Sequence, residues 1–196
     1  MTSRLHHKIA KGDYPLYIKA PILLSSSWLF QGILYMDRTE RVFKLALDVL
    51  FTIILVLLGA NIPTAILISH TINWIFNGQI FVVFKNLKLI TTPKEKFNVY
   101  IERLRAKLES EPSIVWAGIY GSLVREEFKE TSDLDVRLIR KPGFINGVRA
   151  CIFVMKERIW ANFHGFPLDI YVFDNFQQLK MKMKEEPIII YEESRG

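Results

Sequence analysis

The chain has 196 residues, half of them apolar, and its 26 basic and 20 acidic side chains give a formal net charge of +6. This length holds one compact domain and a second, apolar part, and the single cysteine, Cys151, excludes an internal disulfide. The basic excess lies in residues 1–110, with 14 basic and 7 acidic side chains, whereas residues 111–196 have 12 and 13. Because the basic half also holds the longest apolar run, we expect it to contact anionic lipid headgroups. Nucleic acid is not an expected partner.

The first predicted element is a basic segment, residues 1–41. It contains APILLSSSWLFQGILYM, an apolar stretch that three serines interrupt. Such a stretch is too short and too polar to predict a crossing of a membrane. We expect this segment on the cytoplasmic side, lying in the membrane interface with Trp28 and Tyr35 as its anchors.

Residues 42–86 are predicted to form a transmembrane helical hairpin. The forty positions from Leu45 to Phe84 hold one formal charge, Asp48, and GANIP is the only break in the run. This break divides it into Val42 to Leu58 and Pro63 to Phe84, which as helices are about 26 and 33 Å long. Both lengths lie near the roughly 30 Å of a bilayer's hydrocarbon core.

Basic side chains flank this hairpin on both sides, whereas the turn between its halves has no charge. Cytoplasmic flanks are the basic ones, so we expect two crossings with the rest of the chain in the cytoplasm. The alternative is a hairpin that lies in the interface or enters the membrane only partly.

The second half of the hairpin has a polar face, because His70, Asn73 and Asn77 follow helical spacing. Polar groups in an apolar helix turn toward a partner helix or a cavity. We expect this face to contact Asp48 or a second copy of the protein. The alternative is that it receives a polar membrane substrate.

Residues 94–196 are predicted to form a small α/β (α+β) domain. An amphipathic helix opens it, and SIVWAGIYG, SDLDVRLIRK, PLDIYVFD and PIIIYE then alternate with helical segments. Apolar strands that alternate with helices over about 85 residues indicate a mixed sheet with packed helices.

Three acids interrupt these apolar strands. Asp133 and Asp135 are two apart on one strand and therefore point to the same face, and Asp169 begins another strand. Converging carboxylates repel one another unless a cation lies between them, and their oxygens suit Mg²⁺. We expect two Mg²⁺ ions and phosphoryl or nucleotidyl transfer. The alternatives are that Asp133 is a cap and Asp169 a strand-entry residue bonded to a turn.

The turn before the paired acids has the residues of a phosphate site. Gly121 lets a phosphate approach the backbone closely, Ser122 offers a hydroxyl, and the N-terminus of the helix predicted to follow presents unpaired amides. The sequence therefore predicts a triphosphate at the turn and its metal ions at the acids.

These motifs resemble those of the nucleotidyltransferase superfamily related to DNA polymerase beta, in its minimal form. The resemblance rests on GS, ten residues, DLD and a later PLDIYV, and it covers about residues 97–192 but not the hairpin. It implies roles for the site residues: phosphate contacts by Gly121 and Ser122, two metals bound by Asp133 and Asp135, and the acceptor-activating metal completed by Asp169.

Arg125 supports this resemblance, and Glu126 departs from it. Arg125 matches an arginine that is common in the family and implies a further phosphate contact. Glu126 stands where the family usually has glycine. An acid there would weaken triphosphate binding unless its side chain points away.

The sequence thus predicts a membrane-anchored, magnesium-dependent nucleotidyltransferase. It would move a nucleoside monophosphate from ATP or another nucleoside triphosphate to an acceptor, expected to be membrane-associated, and release diphosphate. One alternative is a minimal transferase of the toxin-antitoxin type that modifies a protein or RNA partner. Another is an inactive fold of this type that serves as a nucleotide sensor or assembly module.

Overall fold

The computed structural model describes residues 15–78, 83, 87, 91–183 and 185–193. Within these ranges the fold is mixed α/β, with six helices and a four-stranded sheet. The helices are α1 (Leu16–Phe30), α2 (Arg38–Leu57), α3 (Ile62–Phe76), α4 (Lys94–Glu109), α5 (Phe144–Phe163) and α6 (Phe176–Lys182). The strands are β1 (Ile114–Tyr120), β2 (Leu134–Arg140), β3 (Leu168–Phe173) and β4 (Ile188–Glu192).

The sheet has the strand order β3-β2-β1-β4. β1 runs antiparallel to both β2 and β4, whereas β2 and β3 are parallel. A parallel pair needs a crossover between its strands, and α5 supplies it. Residues 141–143 connect the end of β2 to α5, and residues 164–167 connect α5 to the start of β3, which lies beside the start of β2.

One face of the sheet packs against α4 and α5. The buried side chains of α4 follow the spacing of a single helix face: Phe97, Tyr100, Leu104 and Leu108. They join Val136, Leu138 and Ile170 of the sheet in the main apolar core. Cys151 of α5 is buried in the same core, and burial raises the pKa of its thiol to about 12. Its role is therefore packing.

No helix in the described ranges combines the length and the apolar character needed to cross a membrane. The transmembrane hairpin predicted for residues 42–86 is therefore wrong, and so is the two-pass membrane localisation that rested on it. The prediction for residues 79–82 and 84–86, and for residues 1–14, lies outside the described residues.

Two features of the helices explain this correction. α2 has 20 residues, but its last eighteen still include four charged side chains, at Glu40, Arg41, Lys44 and Asp48. α3 has 15 residues and ends at Phe76, so it is about 22 Å long, well short of the roughly 30 Å of a hydrocarbon core. The apolar run in the sequence does not fix these limits, since α2 begins after its cap Asp37 and α3 after its cap Asn61.

The polar face of α3 contacts α2, and Asp48 is one of the two partners expected for it. Asn73 Nδ2 donates to Asp48 Oδ1 at 2.7 Å and to the Lys44 carbonyl at 2.9 Å. His70 Nδ1 lies 3.4 Å from Asp48 Oδ2. Trp28 of α1, predicted as an interfacial anchor, instead packs edge-on against the His70 ring and donates to Thr71 Oγ1 at 3.1 Å. These polar groups thus join the three N-terminal helices to one another.

A buried ion pair joins the N-terminal helices to the sheet. Arg158 of α5 donates through Nη2 to Glu40 Oε1 of α2 at 2.6 Å, and the two side chains are only 4% and 3% exposed. Glu40 Oε2 accepts the Val172 amide of β3 at 3.0 Å, and Arg158 Nη1 donates to Asn77 Oδ1 just after α3. Asn77 therefore lies at a contact between the helices and the α/β domain.

Lys44 lies one turn after Glu40 and is also buried. Its Nζ has no hydrogen-bond partner among the described residues. Burial and the nearby Arg158 lower the pKa of its amine to about 7, although Glu40 and Asp48 oppose the change. A charged amine at this position is therefore costly to the fold.

We expect Lys44→Met to raise the free energy of unfolding at pH 7 by about 1–3 kcal/mol, the cost of a buried polar group without a partner. Between pH 7 and 10.5 the unfolded chain binds a proton at Lys44 that the folded chain lacks, so wild-type stability rises with pH. The gain from Lys44→Met should then shrink, as urea denaturation at pH 7 and pH 10 can measure. Lys180→Met, on an exposed position of α6, is the control, and an equal gain at both pH values would contradict the prediction.

Candidate active site

The register of the parallel strands brings two of the three predicted acids side by side. Asp135 of β2 pairs with Asp169 of β3, and both lie near the start of their strands. Their side chains are 21% and 24% exposed. Asp133 lies two residues before Asp135, outside the strand, and its charge contributes to the pKa of Asp135. The three acids are therefore neighbours, and two of them touch the same group.

That group is the guanidinium of Arg137, which the sequence analysis did not single out. Arg137 Nη2 donates to Asp169 Oδ2 at 2.9 Å and to Asp135 Oδ1 at 3.2 Å, and Nη1 donates to the Asp169 carbonyl at 2.7 Å. Arg137 follows Asp135 by two positions on the same strand, so it points to the same face. This spacing, a base two residues after an acid in an apolar strand, was the available signal.

The two acids differ in protonation. Burial and the negative charges of Asp133 and Asp169 raise the pKa of Asp135 well above its ordinary value of 3.8. Burial also disfavours the ionised form of Asp169, but the Arg137 guanidinium and a hydrogen bond with Asp135 outweigh it and lower the pKa of Asp169. The pair therefore shares one proton, with Asp169 as the ionised member.

The predicted three-carboxylate metal group is not formed. Across the described ranges, no set of three or more His, Cys, Asp or Glu side chains is arranged to hold a metal ion. The metal-binding assignment of Asp133, Asp135 and Asp169 is therefore wrong for this structure. The reason is that Asp135 and Asp169 direct an oxygen each at Arg137, so this donor set does not fit a shared cation. The requirement for two Mg²⁺ ions stays a prediction.

The Gly-Ser turn lies directly against Asp135. β1 ends at Tyr120, the register partner of Asp135, and Gly121–Leu123 form one turn of 3-10 helix. Gly121 has φ +79°, and a Cβ there would lie 2.1 Å from Asp135 Oδ2, so only glycine fits. The predicted phosphate turn and the predicted acids thus form one site. The α-helix expected after the turn is absent from residues 124–133, where the chain makes turns instead.

The turn already holds an anionic group of the protein itself. The Gly121 amide donates to Glu185 Oε1 at 2.6 Å, and Arg125 Nη1 donates to Glu185 Oε2 at 2.7 Å. Arg125 also donates through Nε to Glu127 Oε2 at 3.1 Å. Ser122 Oγ is buried and has no hydrogen-bond partner among the residues that the structure describes. Glu185 could not be found from the sequence, because it lies 64 residues after Gly121.

Glu126 has a backbone conformation that usually requires glycine. Its φ is +57°, in the left-handed region that favours glycine, and its side chain is exposed. A non-glycine residue there costs about 1–2 kcal/mol. Because the contacts of the turn are made by Gly121, Arg125 and Glu185, Glu126 takes no part in them.

Comparisons with known proteins give no further identification. No protein-family model matches the chain, and no curated protein matches its sequence. The resemblance to the nucleotidyltransferases therefore rests on the motif residues alone.

Proposed function

We propose that this chain transfers a nucleoside monophosphate from a nucleoside triphosphate to an acceptor hydroxyl or phosphate. The acceptor oxygen attacks the α-phosphorus, the bond from that phosphorus to the β-phosphate oxygen breaks, and diphosphate leaves. The observation that carries the proposal is the direct contact between Gly121 and Asp135. It puts a turn with an anion-binding amide beside a pair of acids in different protonation states.

The turn supplies the groups that a triphosphate needs. The Gly121 amide and the Arg125 guanidinium both bind a carboxylate, and phosphate oxygens accept the same hydrogen bonds. The Ser122 hydroxyl, next along the chain from Gly121, is buried and makes no hydrogen bond within the described part of the chain. A buried hydroxyl without a partner is costly, so its presence here supports a role in binding.

The paired acids supply a general base for the acceptor hydroxyl. Asp169 is ionised and held by Arg137, so it can accept a hydrogen bond from an acceptor hydroxyl and take its proton as attack proceeds. The hydrogen bonds of Arg137 fix the orientation of the Asp169 carboxylate. An oriented base next to a bound phosphate is the arrangement that phosphoryl transfer requires.

A second candidate is a nucleotide sensor that binds triphosphate without transfer. The observation that favours it is the engagement of both acids by Arg137, which leaves fewer of their oxygens for a reacting group.

The test is an assay of the purified full-length protein with each of the four ribonucleoside triphosphates, with and without Mg²⁺ and with a total cell extract as the acceptor source. Each nucleotide carries a radioactive α-phosphate. We expect diphosphate release together with label on an extract component. Binding without release under every condition would support the sensor, and neither binding nor release would overturn both candidates.

Ser122→Ala should separate binding from folding. The lost hydroxyl has no hydrogen-bond partner in the described ranges, so we expect the free energy of unfolding to stay the same or to rise by about 1 kcal/mol. The affinity for ATP, measured by calorimetry, should fall about tenfold, because one hydrogen bond to a charged oxygen is lost. Ser110→Ala, at an exposed position after α4, is the control. A Ser122→Ala protein that is less stable and binds ATP normally would show that the hydroxyl serves the fold.

A further inference from the structure

The chain between α6 and β4 carries Glu185 into the Gly-Ser turn. The carboxylate is bidentate, with one oxygen on the Gly121 amide at 2.6 Å and the other on Arg125 Nη1 at 2.7 Å. Its side chain is 26% exposed, so it is partly enclosed by the turn. A long-range contact therefore occupies two hydrogen-bond donors of the Gly-Ser turn.

These two donors are the ones that the proposed triphosphate site depends on. The Gly121 amide has one N–H, and Glu185 accepts it. Arg125 has its Nη1 on Glu185 and its Nε on Glu127. A phosphate oxygen at the Gly121 amide and the Glu185 carboxylate would occupy the same place and would carry the same sign of charge. The two ligands exclude each other.

We propose that Glu185 is an intramolecular competitor of the triphosphate, which binds the Gly-Ser turn in the resting protein and leaves when the nucleotide enters. This inference rests on the proposed function only in taking the turn as the triphosphate site. The contact is regulatory in effect, because it multiplies the apparent dissociation constant of the site by the reciprocal of the fraction of molecules in which Glu185 is released.

The contact leaves the Ser122 hydroxyl of the turn without a hydrogen-bond partner among the described residues. In this contact one oxygen of Glu185 accepts from the Gly121 amide and the other from Arg125. Ser122 Oγ, next along the chain, donates no hydrogen bond to Glu185 and has no partner elsewhere in the described residues. A phosphate group has a third terminal oxygen that could accept from it. The contact with Glu185 thus satisfies two hydrogen-bond donors of the turn, and a triphosphate would also satisfy the Ser122 hydroxyl.

The test compares Glu185→Gln with Glu127→Gln in the full-length protein. Both changes remove one negative charge that binds Arg125, but only Glu185 also occupies the Gly121 amide. The probe is inorganic triphosphate, measured by calorimetry at 0.15 M salt, where charges farther apart than about 8 Å are largely screened. We expect Glu185→Gln to bind the probe about tenfold more tightly than wild type, and Glu127→Gln to change the affinity by less than about threefold.

A second measurement follows the release of Glu185 directly. Hydrogen exchange of the segment before β4 should speed up when triphosphate is added to the wild type, because the carboxylate that holds this segment has been displaced. In Glu185→Gln the same segment should exchange fast with and without the probe. Slower exchange in wild type on adding triphosphate would overturn the proposal.

The remaining outcomes separate this inference from the proposed function. If Glu185→Gln and Glu127→Gln tighten binding equally, charge alone is responsible and the competitor is overturned, whether or not transfer occurs. If Glu185→Gln alone binds triphosphate more tightly but no nucleotide is ever transferred, Glu185 is a competitor of triphosphate and the proposed transferase activity is overturned. If no variant binds triphosphate, the turn is not its site and both are overturned.

Discussion

Replacing Arg158 with methionine should lower the free energy of unfolding by about 3–5 kcal/mol, the cost of leaving one member of a buried ion pair alone. Arg158 donates to Glu40 Oε1, to the Ile170 carbonyl and to Asn77 Oδ1. Without it, the Glu40 carboxylate keeps the Val172 amide as a hydrogen-bond donor but loses its buried counter-charge. Urea denaturation at pH 7, followed by circular dichroism, measures the change.

Two further variants show whether this cost belongs to the ion pair. Arg149→Met lies on the same helix and removes an arginine that is 56% exposed and paired with Glu111, so we expect a loss of at most about 1 kcal/mol. The double variant Glu40→Gln with Arg158→Met should lose less than the sum of the two single losses, because each single change strands the other charge. Additive losses would mean that the two side chains act independently.

Replacing Asp135 with asparagine should abolish nucleotide transfer, by a factor of about 10³ or more, without destabilising the protein. Transfer is lost because the paired acids can no longer share a proton beside the turn. The fold is spared because burial and the charges of Asp133 and Asp169 oppose ionisation of Asp135. The measurements are diphosphate release and the free energy of unfolding at pH 7.

The raised pKa of Asp135 also predicts how the stability of the protein changes with pH. The pKa of Asp135 is raised in the folded protein, so above pH 3.8 the unfolded chain loses a proton that the folded chain retains. The contribution of Asp135 to the free energy of unfolding therefore falls as the pH rises from about 4. Asp135→Asn removes this contribution to the pH dependence of stability. Asp169→Asn is the opposite control. It removes an ionised partner of Arg137, so we expect it to lose both transfer and stability. Equal losses of stability in the two variants would contradict the assigned protonation states.

The local parts of the candidate site could be predicted from the sequence. Gly121 and Ser122 follow a strand and precede an acid pair, and the two-residue spacing places Asp135 on a defined face of its strand. Asp169 is expected to converge with the paired acids because it begins another apolar strand of the same sheet. The register pairs Asp135 with Asp169.

The remaining parts depend on contacts between distant segments. Glu185 reaches the turn from 64 residues away, and no local pattern marks it as a ligand of Gly121. Arg137 could have been placed on the right face, but its position between the two carboxylates follows from the packing of β3. The hairpin prediction failed for a related reason. Glu40 and Lys44 are buried by contacts that an apolar run does not reveal.

The contacts of Glu40 and Arg158 also have a consequence for the sheet as a whole. β3 is an edge strand, and its outer backbone groups would otherwise be free to pair with a strand of another molecule. Glu40 accepts the Val172 amide, Asp37 accepts the Asp174 amide, and Arg158 donates to the Ile170 carbonyl. Glu40 of α2, Asp37 just before it and Arg158 of α5 thereby cap an edge that could nucleate aggregation. A chain shortened to the α/β domain would expose this edge, so the helices help to keep the protein from self-associating through its sheet.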